Sequence, residues 1–208
     1  MGFYAKKVFP WVLDVTEPEE MAAQRKLLLH DVKGEILEIG IGTGVNLPFY
    51  PNKINKITGI EPSDAMRPRA LHKAEKAGIS IDWHDGLGEN LPFDKEFFDT
   101  VVLVDVLCSV DDVDAVLSES FRVLKYGGKL YFLEHGISAE NKIRKWQLRL
   151  NGLSKVVACG CQLTRDMEKH LYNSSFEVNE LINVPPFAGM NSVYTHIRGI
   201  ATKTANNQ

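Results

Sequence analysis

Short apolar runs alternate with amphipathic stretches along most of the chain. The runs predict strands at residues 35–39, 56–60, 98–104 and 130–134, and residues 79–84 are predicted to form the third strand. The first two runs are typical of parallel strands buried on both faces. Between the runs, apolar residues recur at helical spacing, which predicts helices at residues 18–31 and 63–77 and from residue 111 to the Gly127-Gly128 pair. Strands that alternate with helices in this way predict an α/β, doubly wound sheet that is mostly parallel.

The ends of one helix carry their own signals. Ser63 is predicted to cap the helix and Gly78 to end it, while Pro68 predicts a slight kink or a late start. The apolar stripe of this helix is expected to include Met66, Ala70, Leu71, Ala74 and Ala77.

The pattern changes beyond residue 138. A helix is predicted at residues 140–154, with Ile143, Trp146, Leu150 and Leu153 on one stripe, and a shorter one at 164–172. Segments 176–184 and 192–202 predict two closing strands that pair as an antiparallel hairpin across Pro185-Pro186.

A glycine-rich turn follows the first predicted strand. Glu38 ends the strand, and Gly40, Gly42 and Gly44 follow at alternate positions. Glu61 ends the second strand 23 residues after Glu38, where an acid binds the ribose in nucleotide-type α/β folds. The third glycine comes one residue earlier than in a dinucleotide fingerprint. The preceding carboxylate suits a cationic ligand such as S-adenosylmethionine, which has a sulfonium and an ammonium but no phosphate.

An ordinary strand-to-helix turn is the alternative interpretation of these glycines, since glycine serves any position with positive φ. Against that alternative, the run Glu38-x-Gly40-x-Gly42-x-Gly44 is similar to the first motif of class I S-adenosylmethionine-dependent methyltransferases. The segments Gly88–Asp94 and Phe121–Leu130 resemble those of the ubiquinone and menaquinone methyltransferase-like group. This resemblance covers residues 33–135 and implies a Rossmann-like methyltransferase sheet with S-adenosylmethionine as cofactor.

A narrower resemblance concerns the acceptor. The segments 106–110, 131–135, 160–165 and 196–201 resemble the methyltransferase-like proteins that methylate alkyl thiols. The segments around Phe9-Pro-Trp and 46–51 resemble bacterial phosphatidylethanolamine methyltransferases. The resemblance implies a small apolar acceptor, a thiol first, then a quinone-type phenol or a lipid amine. The animal thiol methyltransferases carry an N-terminal membrane anchor that we do not find here, so their location is not transferred.

The motifs imply a set of cofactor-binding residues. Glu61 is expected to bind the ribose hydroxyls and Glu38 to position the turn and the methionine end of the cofactor. Many family members have an acid at the position of Leu87, so the adenine contact here comes from the backbone of Leu87 and Gly88 or from Asp85. The full expected set is Glu38, Gly40, Gly42, Thr43, Gly44, Asn46, Glu61, Pro62, Met66, Asp85, Gly86, Leu87, Gly88, Val104 and Val106.

Two catalytic candidates end predicted strands. His135 follows the fifth strand and is expected to take a proton from the acceptor, the alternative being a structural hydrogen bond. Asp105 follows the fourth strand and either holds an ammonium or a substrate proton or is a solvated acid. Cys159 and Cys161 stand one residue apart without a second pair, so no metal site is expected.

Length, net charge and cysteine content limit the domain organisation, the partners and the location that we expect. The 208 residues fit one domain with an N-terminal helical segment (1–31), a cofactor-binding half (33–135) and an acceptor-side half (136–208). The net charge of −3 gives no reason to expect nucleic-acid binding. Three cysteines without framework spacing and no apolar run of membrane-spanning length favour the cytoplasm.

One local feature leaves room for weak peripheral contact with a membrane, a basic stripe of Lys142, Lys145 and Arg149 beside Trp146. The sequence carries no information on oligomeric state. Two other functions remain open at this stage: a nicotinamide-dependent oxidoreductase, and an S-adenosylmethionine-binding module without catalysis.

Overall fold

The structure, a computed structural model, describes residues 10–11, 18–185 and 193–205. Its centre is one seven-stranded sheet in the order β3-β2-β1-β4-β5-β7-β6. Strands β1 to β5 pair in parallel, and β7 pairs antiparallel with both β5 and β6. The strands are β1 (Ile36–Ile39), β2 (Lys56–Ile60), β3 (Ser80–His84), β4 (Phe98–Val104), β5 (Leu124–Gly136), β6 (Glu177–Val184) and β7 (Thr195–Thr202).

Helices cover both faces of this sheet. They are α1 (Glu19–Leu29), α2 (Arg67–Ala77), α3 (Val113–Val123), α4 (Asn141–Val157) and α5 (Met167–Asn173), with a short 3₁₀ turn at Leu47–Phe49. Apolar side chains of α1 and α2 pack on one face of the sheet, and those of α3 and α5 pack on the other. The expected α/β, doubly wound, Rossmann-like sheet with an antiparallel C-terminal hairpin is confirmed.

The sheet changes direction at β1. The chain runs from β1 outward through β2 to β3 and then returns to β4 on the other side of β1. Ligands of open α/β sheets bind in the crevice at this switch point, beyond the carboxyl ends of the strands. The topology therefore directs attention to the residues that follow β1, β2, β4 and β5.

Helix α2 starts later than the cap signal predicts. It begins at Arg67, and Pro68 lies in its first turn, where the missing N–H costs no intrahelical hydrogen bond. Ser63 therefore does not cap the helix. Gly78 adopts a left-handed conformation and ends the helix as expected. Leu71 lies outside the buried face and is exposed, contrary to the predicted stripe.

The glycine pair after α3 does not end that helix. Helix α3 stops at Val123 and β5 begins at Leu124, so Gly127 and Gly128 lie inside the strand. The register between β4 and β5 shifts between Phe98 and Thr100 near this point. The two glycines therefore lie beside an irregularity of the strand pairing and not at a helix terminus.

Helix α4 exposes part of its predicted apolar stripe. Trp146 and Leu153 are exposed, whereas Gln147 and Ser154 are buried. Periodicity located the helix correctly, but hydrogen bonds of Gln147 decide which side faces the protein. The predicted stripe is thus exposed at Trp146 and Leu153 and half-buried at Ile143 and Leu150.

A stability prediction follows from the packing of β7. An added Cβ at Gly199 would overlap the carbonyl oxygen of Glu180 and the ring of Phe132. We expect Gly199→Ala to lower the free energy of unfolding by about 2–3 kcal/mol, because overpacked interiors must shift backbone. Denaturant unfolding measures this loss.

Gly152→Ala is the matched control, since its Cβ meets no described atom within 4 Å in the middle of α4. Alanine there should raise the free energy of unfolding by up to about 1 kcal/mol. Equal stability of the two variants would contradict the packing described for β7.

Candidate active site

The turn after β1, residues Gly40 to Gly44, is a candidate binding surface, called the cradle. Gly40, Gly42 and Gly44 all have positive φ, at 71°, 60° and 79°. An added Cβ at Gly40 or Gly44 would collide with packed neighbours, but one at Gly42 would meet only Met66 Sδ at 3.8 Å and the Gly40 carbonyl at 3.9 Å. Gly42 therefore faces open space, into which a ligand can approach the backbone closely.

The carboxylate after β2 borders the same space. Glu61 is buried, and its Oε2 accepts a hydrogen bond from the Gly42 N–H at 2.9 Å while Oε1 accepts from the Ser63 N–H at 2.7 Å. Burial raises the pKa of this carboxyl above its usual value, and the two backbone hydrogen bonds oppose that rise. Each oxygen keeps a lone pair for a further donor.

The other end of the cradle is a buried polar chain. Glu38 accepts hydrogen bonds from Asn46 Nδ2 at 2.7 Å and from the Tyr50 hydroxyl at 2.8 Å. Arg25 Nη1 donates to Asn46 Oδ1 at 2.7 Å, and Arg25 Nη2 pairs with Asp105 Oδ2 at 2.9 Å. Helix α1 thus links the residues that follow β1 to those that follow β4.

The role of Arg25 in this hydrogen-bonded network was not predicted from the sequence. Arg25 stands at helical spacing with the apolar residues Met21, Leu28 and Leu29 of α1. A charged residue at a buried helical position is the signal that a partner must exist. Sequence spacing could not name the partner, because 80 residues separate Arg25 from Asp105.

Asp105 has a strained backbone with φ of 56°, in the left-handed region that few non-glycine residues adopt. Its Oδ1 lies 3.6 Å from His196 Nε2. Burial alone would raise the pKa of this carboxyl, but the contact with His196 and the charge of Arg25 hold the pKa well below its usual value. Asp105 is therefore a carboxylate at neutral pH.

Glu134 is buried, like Glu38 and Glu61, and its role was not predicted from the sequence. Its Oε1 accepts hydrogen bonds from the N–H groups of Val106 at 2.8 Å and Leu107 at 2.9 Å. Burial and the nearby charge of Asp105 raise the pKa of Glu134 from 4.5 to about 7. The side chain fastens the loop after β4 to the end of β5, and an acid inside an apolar strand was the available signal.

His135 is the penultimate residue of β5 and lies opposite His196 of β7. Its Nε2 lies 3.1 Å from Cys161 Sγ, and its Nδ1 is buried without a hydrogen-bond partner among the described residues. Burial would lower the pKa of His135, but the contact with Cys161 and the charges of Asp105 and Glu134 raise it above the usual value overall.

A cluster of possible metal ligands surrounds this histidine. Cys108, His135 and Cys161 are buried with their ligand atoms within 4.8 Å of one another, whereas Cys159 is exposed. A metal-bound histidine normally donates its other ring N–H to a partner, and His135 Nδ1 has none in the described chain. The geometry therefore favours a hydrogen-bonded cluster of thiols and imidazole over a metal site.

The remaining expected cofactor residues differ in their contacts and in their burial. Lys73 Nζ donates to the Thr43 carbonyl at 3.0 Å and hydroxyl at 3.2 Å, so Thr43 fastens the turn to α2. Asp85 is exposed and pairs with Arg67 Nη2 at 2.7 Å, while Arg67 Nε donates to the Glu61 carbonyl at 2.9 Å. The side chains of Pro62 and Leu87 are exposed, Gly86 and Val106 are partly buried, and Gly88 and Val104 are buried.

A cleft of about 570 Å³ opens beside the histidine pair. It lies between the end of β5, the start of α4 and the β6–β7 hairpin, and its lining includes Gly136, Ile143, Met167, Thr195 and His196. Because His196 also approaches Asp105, the cleft and the cradle meet at the carboxyl ends of β4 and β5. This arrangement is that of a Rossmann-like fold with a candidate nucleotide-type site at the glycine turn and an adjoining cleft.

Comparison with known proteins agrees with this class. The methyltransferase domain family matches residues 37–132. Human thiol S-methyltransferase TMT1A is 32% identical over 218 residues, covering 97% of this chain and 88% of that protein. Phosphatidylethanolamine N-methyltransferase from Cereibacter sphaeroides is 36% identical over 104 residues, covering 49% of this chain and 51% of that protein.

A solved structure shows the same fold. It is an S-adenosylmethionine-dependent methyltransferase from Thermotoga maritima, described as a possible histamine N-methyltransferase. Its TM-score is 0.64 at 24% identity, with 93% of each chain covered. The chain belongs to the S-adenosylmethionine-dependent methyltransferases, and S-adenosylmethionine is its cofactor. Among the described residues, none of the helices is long and apolar enough to cross a membrane.

Glu134 generates a prediction about stability and pH. Its pKa is about 7 in the folded protein and 4.5 in the reference state. The folded state therefore binds more protons, and stability falls as pH rises between these values. Glu134→Gln keeps an acceptor oxygen without the charge, so we expect the variant to be about 2–3 kcal/mol more stable than the parent at pH 8 and nearly equal to it at pH 4.5.

Denaturant unfolding at several pH values checks this, with the exposed Glu177→Gln as the control for loss of a charge. A difference between parent and variant that stays constant from pH 4.5 to pH 8 would show that Glu134 does not titrate in this way.

Proposed function

We propose that the protein transfers the methyl group of S-adenosylmethionine to the thiol of a small apolar acceptor. The observation that carries this proposal is the buried imidazole of His135, whose Nδ1 has no hydrogen-bond partner among the described residues. The cleft is lined by Gly136, the next residue along, and by His196, its partner across β7.

The comparisons support the thiol over the other acceptors. The relatives that cover nearly the whole chain are named thiol S-methyltransferases. The similarity to a phosphatidylethanolamine N-methyltransferase covers only about half of the chain. Because the acceptor cleft is formed by residues beyond 135, similarity over the whole chain weighs more on the choice of acceptor.

The cradle fits the cofactor. Open space at Gly42 admits a ligand close to the backbone, and the Glu61 carboxylate beside it can accept from two vicinal hydroxyls of a ribose. Glu38 and Asn46 shape the methionine end of the site. The residues expected from the sequence motifs, from Glu38 to Val106, form the proposed binding set, with the backbone of Leu87 and Gly88 or the Asp85 carboxylate near the adenine.

The protein's own contribution to the reaction is proximity and a proton acceptor. S-adenosylmethionine supplies, when bound, an electrophilic methyl group on a sulfonium. A thiol with pKa near 8.5 is mostly protonated at neutral pH, and the thiolate is the nucleophile. His135 takes the thiol proton, and the charge of Asp105 stabilises the imidazolium that results.

The proposal includes a single domain and a reducing compartment, as expected from the sequence. The pairing of β5 with β7 joins residues 33–135 and 136–208 in one sheet, which supports a single domain over residues 1–208. The three cysteines are free thiols, which supports a reducing compartment such as the cytoplasm. Screening thiols, phenols and amines for S-adenosylhomocysteine formation tests the acceptor; no turnover with any thiol would overturn the proposal.

Glu61→Ala tests the cofactor site. A hydrogen bond to a charged buried acceptor contributes about 1.5–3 kcal/mol, so the variant should bind S-adenosylhomocysteine about ten- to a hundredfold more weakly. Calorimetric titration measures the dissociation constant, and circular dichroism reports the fold. The exposed Glu75→Ala of α2 removes the same charge and should bind normally. An unchanged constant for Glu61→Ala with a native fold would mean that Glu61 does not hold the ribose.

His135→Ala tests the base. General-base assistance contributes about 10²–10⁴-fold in rate, so turnover of a thiol should fall by that order at neutral pH, with S-adenosylhomocysteine affinity within a few fold of the parent. The deficit should shrink as pH rises, because the thiol then ionises without help. The exposed His72→Ala is the control. A deficit that is small, or is the same at every pH, would make His135 structural.

A further inference from the structure

Helix α4 buries two polar residues and exposes most of its apolar residues, and only Ile143 and Leu150 among the apolar ones are half-buried. Gln147 and Ser154 are its buried residues. Trp146, Leu153 and Val156 are 54%, 59% and 72% exposed. A surface helix of a globular protein normally shows the opposite arrangement, so the exposed face needs another explanation.

Hydrogen bonds fix α4 in this orientation. Gln147 Oε1 accepts from the Ser138 N–H at 2.8 Å, and Gln147 Nε2 donates to the carbonyls of Gly136 and Val193, each at 2.9 Å. One turn before the helix ends, Ser154 Oγ lies 3.4 Å from the buried Cys161 Sγ. These hydrogen bonds fix which side of α4 faces outward.

The outward face has two parallel rows. Trp146, Leu153 and Val157 recur at i, i+7 and i+11, which places them in one line along the helix. Lys142 and Arg149 form the adjacent line, again seven residues apart. An apolar row beside a basic row is the pattern of a helix that lies in a membrane interface.

The charge of α4 is one-sided. The helix contains five basic residues and no acidic residue, although the whole protein has a formal net charge of −3. The basic residues are Lys142, Arg144, Lys145, Arg149 and Lys155. Arg149 also lies over the Trp146 ring, with its guanidinium carbon 5.4 Å from the centroid, so the two rows are in direct contact.

We propose that α4 binds flat on the surface of a membrane that contains anionic lipids. Trp146, Leu153 and Val157 enter the interface between headgroups and acyl chains, and Lys142, Lys145 and Arg149 contact headgroup phosphates. A groove on another protein would satisfy the apolar row alone. An extended anionic surface satisfies both rows, and this is the reason for choosing a membrane. The proposal does not depend on the identity of the methyl acceptor.

The test is flotation of the purified full-length protein with vesicles. Vesicles of phosphatidylcholine are compared with vesicles that contain about 30% phosphatidylglycerol. Each basic side chain near an anionic surface raises affinity about fivefold. We expect binding to the anionic vesicles that weakens with salt, at least about tenfold weaker binding to phosphatidylcholine alone, and a blue shift of tryptophan fluorescence that Trp146→Phe removes.

Paired variants locate the surface. Lys145→Glu with Arg149→Glu should weaken binding to anionic vesicles at least about twentyfold, and Trp146→Glu with Leu153→Glu should abolish it. Lys76→Glu and Leu71→Glu are the matched controls on the exposed side of α2 and should bind like the parent. Native S-adenosylhomocysteine affinity verifies the fold of every variant.

Three outcomes would overturn the proposal. The first is absence of binding to either vesicle, and the second is an equal loss in the α2 controls. The third is self-association in sedimentation that Trp146→Glu removes, which would make α4 a protein interface. Vesicle binding needs neither cofactor nor acceptor, so its failure is distinct from a failure of the proposed thiol methylation.

Discussion

The buried guanidinium of Arg25 is the interaction on which the arrangement of the site depends. It is 6% exposed, and a charge at such a position requires a partner because leaving it uncompensated costs several kcal/mol. Asp105 supplies the opposite charge, and Asn46 carries the connection onward to Glu38. The ends of β1 and β4 are thereby held at a fixed separation by a helix that precedes both of them in the chain.

The electrostatics of the site favour a cationic ligand. Glu38, Glu61, Asp105 and Glu134 all lie around the carboxyl ends of β1, β2, β4 and β5, and three of these carboxyls have pKa values raised by burial. A positive charge placed among them would stabilise their ionised forms and be stabilised in return. A sulfonium with a neutral leaving group matches this requirement better than a pyrophosphate, which would add negative charge.

Sequence patterns could predict the parts of the fold that depend on local periodicity. The bounds of β2 and β4 agree with their apolar runs because both strands are buried on two faces, and the glycine turn is set by its own backbone requirements. Arg25 and Glu134 could not be assigned roles, because their partners lie 80 and 28 residues away. The buried side of α4 could not be predicted from its apolar pattern either, because the hydrogen bonds of Gln147 outweigh that pattern. The roles of the individual site residues stay predictions.

The position of β7 has a consequence for the order in which the protein is made. This strand is synthesised after β6, yet it lies between β5 and β6 in the sheet. Until β7 has left the ribosome, β5 presents an open edge of unpaired backbone groups next to His135, and β6 has no strand to pair with. This side of the sheet therefore completes its folding only after residues 195–202 have been synthesised. A nascent chain paused before residue 195 exposes an edge on which a chaperone, or another nascent copy, can act.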